Sequence, residues 1–141
     1  MPLHIATTKT RRFEKFFKRS GVDIRILGLL FIASGWIDLF WILSYPNYAL
    51  TVFGATFEGW GGTLIKLQHP CIHWIIGYGF WNTQRWSYRL YLWYLGLACM
   101  SEITTQLFHG YHPTRTTMIV VSVLFGSYII ARHRVFRALP L

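Results

Sequence analysis

Acidic residues are nearly missing from this chain, whose 141 residues hold five Asp and Glu against 14 Lys and Arg. Charged side chains make up 13% of it, about half the share of an ordinary soluble domain. Cysteine is scarce as well. Cys71 and Cys99 both fall inside apolar stretches, which excludes a disulfide framework and reads them as small buried apolar residues. CxxC and HExxH spacings, phosphate-binding glycine loops and nucleophile–base pairings are absent, so no motif argues for an enzyme. The length sets the expectation of a single domain.

What is present is oil. Hydrophobic residues reach 53% and aromatics 18%, gathered in four apolar stretches at about Ile26–Tyr45, Leu64–Trp81, Leu90–Phe108 and Thr116–Ala131. Each of the first, third and fourth is long enough to cross about 30 Å of hydrocarbon at 1.5 Å per residue. The second is less clean, because Lys66, Gln68, His69, Pro70 and His73 crowd its first half. The expected fold is an all-α membrane protein, an up-down bundle of four transmembrane helices joined by short turns.

The basic residues orient it. Every Lys and Arg except Lys66 and Arg115 lies before the first stretch, between the second and third, or after the fourth. Cytoplasmic loops retain Lys and Arg, which places both termini inside. The net charge of +9 therefore points to anionic lipid headgroups and not to nucleic acid, since the charges flank apolar spans instead of lining a face. Residues 1–25 form a basic cytoplasmic segment, expected to be retained and not cleaved as a signal, and residues 132–141 form a basic tail. Between Thr10 and Ser20, Phe13, Phe16 and Phe17 share one helical face while Arg11, Arg12, Lys15, Lys18 and Arg19 surround it, the pattern of a helix lying on lipid headgroups. The outer segment from Pro46 to Thr63 is apolar and aromatic, which suits a short interfacial helix or a partner contact.

Threading the charge pattern through the spans gathers the intramembrane polarity at one depth. Asp38 lies about 18 Å along an outward-running helix. Lys66, His69 and His73 occupy the outer half of an inward-running one, and Glu102, Gln106 and His109 the outer half of the next. His69 and His73 are i and i+4; Glu102, Gln106 and His109 are i, i+4 and i+7. Such groups cost several kcal/mol against lipid, so they should face each other or a wet cavity. An internal network fixing helix register is one reading. A metal site of His69, His73 and Glu102 is another, with ligand types suited to zinc, copper or iron, although Pro70 disturbs the turn between the two histidines. Haem or a chlorophyll-type pigment on His69, His73 or His109 is a third. A proton or substrate path through Asp38 and Glu102 is the fourth. Ser122 with Gly126, and Gly77 with Gly79, offer close packing within the bundle or against another subunit.

Two stretches carry a resemblance. Arg25 through Gly35 is similar to the opening helix of small four-span membrane proteins of bacteria, and Gly77–Trp81 followed by Arg85–Leu90 resembles their turn from second to third helix. The resemblance implies a bacterial inner-membrane bundle, with the mitochondrial inner membrane as the alternative, and carries no catalytic residue with it. The expected function is a non-catalytic accessory subunit of a photosynthetic or respiratory membrane complex, with lipids and other membrane subunits as partners. A cofactor-binding subunit is the first alternative and a small transporter or membrane enzyme the second.

Overall fold

The computed structural model describes residues 21–45 and 49–136. The basic segment with Arg11, Arg12, Lys15, Lys18 and Arg19 lies outside the described residues, as do residues 46–48 and 137–141. Within the described residues the chain is mostly helical. Helix α1 spans Val22–Ser44, α2 Gly59–Trp81, α3 Arg85–His109 and α4 Pro113–Ala131, with strands β1 Leu50–Val52 and β2 Ala55–Phe57 between the first two helices. A 3-10 turn, His133–Phe136, follows α4.

Each helix starts before its apolar stretch does, because a helix continues wherever its ends are satisfied. Asp23 in the first turn of α1 sits favourably at the positive end of the helix dipole. Pro113 takes the first helical position of α4, where its missing N–H costs nothing. The link from α2 to α3 is only Asn82–Gln84, turned by Thr83 at φ 52. Pro70 does not break α2, although its ring contributes no backbone N–H to the helix.

The outer segment differs from the expectation of an interfacial helix. Leu50, Thr51 and Val52 pair antiparallel with Phe57, Thr56 and Ala55. Phe53 and Gly54 both have positive φ, 51° and 78°, the sign required at the centre of a two-residue hairpin turn. β-Branched Thr51, Val52 and Thr56 favour the strands. The turn is pinned to α3: the Phe53 N–H donates to Ser101 Oγ, and the Gly54 N–H to Thr105 Oγ1.

Helices α1 and α2 run antiparallel and make the most extensive contact among the described elements. Along α1 the seam is Ile24, Gly28, Phe31, Gly35, Asp38 and Ile42, in steps of four and three residues. Along α2 it is Pro70, His73, Gly77 and Phe80. Gly28 and Gly77 meet backbone to backbone. A Cβ on Gly28 would stand 2.7 Å from the Gly77 carbonyl oxygen, and a Cβ on Gly77 2.7 Å from that of Gly28. No side chain fits there. Gly35 likewise abuts the Trp74 indole and the Pro70 carbonyl. Gly126 packs on Leu95 of α3 and Gly79 on Ser87, so both serve contacts within the bundle.

The apolar core lies at one end of the bundle. Ile24, Ile76, Phe80, Tyr91, Ile129 and Phe136 form one buried cluster, and Phe80 stacks at 5.3 Å on Phe136, which the 3-10 turn inserts. Beside it Asp23 on α1 receives two bonds from Arg132, Nε to Oδ2 and NH2 to Oδ1, each 2.6 Å, and a third from the Tyr128 hydroxyl at 2.5 Å. The bond to Asp23, opposed by desolvation, holds the Arg132 guanidinium above its already high pKa, so this clasp keeps its positive partner at any ordinary pH.

Among the described residues two of the four α-helices, α1 and α4, are long and apolar enough to cross a membrane. A core helix of a soluble protein passes the same test, but it is mostly buried. Here only 17% of the apolar window of α1 and 11% of that of α4 is buried.

Candidate functional site

The seam that brings Gly28 against Gly77 also carries Asp38 to the two histidines of α2. From Gly35 to Asp38 is one step of three, so the carboxylate falls on the α1 face that meets α2. The i, i+4 pair survives Pro70, and the His69 and His73 ring centroids are 4.2 Å apart. Asp38 Oδ2 is 3.0 Å from His73 Nδ1 and 3.7 Å from His69 Nε2. One potential ligand atom from each of the three residues lies within 4.8 Å of the others.

Further side chains orient these groups. The Ser34 hydroxyl donates to the Phe31 carbonyl and lies 2.9 Å from His73 Nδ1. Tyr94 on α3 hydrogen-bonds His69 Nδ1 through its hydroxyl. Phe31 meets the His73 ring edge-on at 5.4 Å, and Tyr94 does so at 6.1 Å. The carboxylate is less well served. Among the described residues two buried side-chain atoms lack a hydrogen-bond partner, Asp38 Oδ2 and Trp74 Nε1. His73 Nδ1 is near enough to Oδ2 for electrostatic attraction but points its bond at Ser34. Buried polar atoms left this way are rare and costly.

A cavity of about 520 Å³ opens beside the cluster. Asp38, His69 and Tyr94 form one wall, Lys66, Gln68, Ser101 and Glu102 add further polar groups, and the hairpin residues Leu50–Phe53 also line it. Lys66 is 3% exposed despite its charge. Glu102 accepts from Arg115 NH1 at 2.8 Å.

The seven polar residues expected at one depth thus separate into three groups. Asp38, His69 and His73 converge. Lys66 and Glu102 line the adjoining cavity. Gln106 and His109 lie apart: Gln106 Oε1 accepts from Thr116 Oγ1 at 3.1 Å, and His109 Nε2 donates to the Gly54 carbonyl at 2.9 Å, fastening the hairpin turn. The carboxylate beside the two histidines is that of Asp38, while Glu102 is held by Arg115. Tyr94 and Ser34 drew no attention as partners of the histidines. Ser34 adjoins Gly35 on α1, so the seam spacing could have marked it; nothing in the spacing marked Tyr94. Comparison with protein-family models, with curated proteins and with solved structures finds no match.

Proposed function

We propose that this chain is a four-span membrane protein of the bacterial inner membrane, with both ends cytoplasmic, and that it serves as a non-catalytic accessory subunit of a larger photosynthetic or respiratory membrane complex. The observation that carries this reading is the outer surface of the helices. Leu30, Ile37, Phe40 and Leu43 on α1 are 59–70% exposed, and Val120, Val121, Val123 and Leu124 on α4 are 52–67% exposed. Apolar cover on this scale marks a surface that meets lipid or protein and not water. Helices α2 and α3, of 23 and 25 residues, reach about 34 and 37 Å, enough for the hydrocarbon layer. Of their polar groups, His73, Lys66 and Glu102 turn to the seam and the cavity, and Gln106 and His109 bond to Thr116 and Gly54, partnerships that a lipid surround favours.

A large neighbour is supported by the outer rim, where Phe53, Trp60, Phe108 and Tyr111 stand exposed together with the hairpin. Aromatics at this level suit headgroups or the face of another subunit. Both basic exceptions to the charge rule turn inward, Lys66 to the cavity and Arg115 to Glu102. The test is extraction of native membranes in mild detergent with the tagged chain as bait. A defined complex of membrane subunits at constant stoichiometry is expected. A monodisperse monomer retained by no complex would refute the accessory role.

A further inference from the structure

We propose that Asp38, His69 and His73 bind one divalent transition-metal ion of the zinc and iron(II) class, with its remaining coordination positions open to the cavity. Two imidazoles and one carboxylate are the donors such borderline ions take. Ligands about 2.0–2.1 Å from a tetrahedral ion stand about 3.3 Å from one another. The two distances to Asp38 Oδ2, 3.0 and 3.7 Å, bracket that value, while the three ligand atoms together spread over up to 4.8 Å, so the two imidazoles draw closer when an ion binds.

The surroundings point the same way. A histidine that ligates a metal characteristically donates its other ring N–H to an oxygen. His69 has that oxygen in Tyr94, which leaves Nε2 to present its lone pair beside Asp38. At His73 the nitrogen facing Asp38 is Nδ1. The same Nδ1 lies 2.9 Å from Ser34 Oγ, so binding an ion there takes the place of a proton on Nδ1 and turns the ring from Ser34 toward Asp38.

A second observation is Asp38 Oδ2 itself: the side chain is 32% exposed, but this oxygen is buried and makes no hydrogen bond despite His73 Nδ1 at 3.0 Å. A salt bridge to one protonated histidine would need only His73. It would leave unexplained why His69 Nε2 also lies within 3.7 Å of the same oxygen. A cation between the three atoms accounts for the convergence and satisfies the carboxylate. Three protein ligands also leave room for water or a ligand molecule, as in open zinc sites, and here that side adjoins the cavity walled by Asp38, His69 and Tyr94.

The test uses the full-length chain in mild detergent, without a histidine tag, stripped with a chelator and titrated with Co(II). One Co(II) per chain is expected, with the intense visible bands of four- or five-coordination, displaced by Zn(II) and not by Mg(II). Asp38→Asn and His73→Ala should weaken binding by at least about 100-fold, beyond the range of outer-shell changes, and Tyr94→Phe by about 10-fold. Glu102→Gln should bind as the wild type does. Weak octahedral bands only, binding short of one ion per chain, or unaltered affinity in both Asp38→Asn and His73→Ala would overturn the proposal. Should either ligand variant fail to fold, the wild-type stoichiometry and the Tyr94→Phe shift decide alone. None of these outcomes depends on whether the chain has a partner complex.

Discussion

The two ends of the helical bundle are built on different terms. At the end where α1 begins and α4 finishes, six large side chains fill one core, and Asp23 has three donors for its carboxylate. At the other end the helices part around a cavity of about 520 Å³, and the acid on the seam, Asp38, has a buried oxygen with none. Both acids belong to α1, fifteen residues apart in the sequence. One is satisfied wholly from within the protein. The other has two histidine nitrogens at 3.0 and 3.7 Å and a hydrogen bond to neither. A fold that meets its stability needs at one end is free to keep an unsatisfied group at the other.

That contrast can be broken from either side. The largest effect on stability is expected from Arg132→Ala, which strands a carboxylate whose side chain is only 19% exposed. A loss of about 3 kcal/mol follows from removing one partner of a buried pair, read as a lower melting temperature in detergent, with Co(II) affinity unchanged. Gly28→Leu comes next. Its Cβ would fall 2.6–2.7 Å from backbone atoms of α2, and overpacking of this kind costs about 1–3 kcal/mol. Because the same seam carries Asp38, this variant should lower melting temperature and metal affinity together, the single change that couples the two ends.

Smaller effects concern the hairpin. Thr105→Val removes the acceptor for the Gly54 N–H and should cost about 1 kcal/mol, with hydrogen exchange faster at Gly54. Phe53→Asn should act in the opposite direction. Phe53 holds φ 51°, a conformation Asn tolerates far better than an aromatic residue. A gain of about 0.5–1 kcal/mol is expected, seen as a slightly higher melting temperature.

The helices and the polar depth were legible because both follow from long-range regularities: apolar runs, the charge rule and a rise of 1.5 Å per residue. The histidine pair could be read from i, i+4 spacing, and Asp38 as one of two acids at their depth. Which acid stands next to the histidines could not. That depends on helix rotation, set by the glycines at 28, 35 and 77, whereas Glu102 was drawn to Arg115 across the turn between α3 and α4. The hairpin was hidden for a different reason. Its turn carries Phe53 where Asn or Gly is usual, so only Gly54 signalled it. The bond from His109 to that turn depends on the hairpin and was hidden with it.

The division between a stabilising end and a binding end is tested most directly by Asp38→Asn, with melting temperature measured before and after Co(II) is added. The account predicts that the metal-free variant melts at or above the wild-type temperature, because an amide relieves the unsatisfied charge, and that Co(II) raises the melting point of the wild type alone. A metal-free Asp38→Asn protein destabilised as severely as Arg132→Ala would contradict it, making Asp38, His69 and His73 a structural network like the clasp at the opposite end.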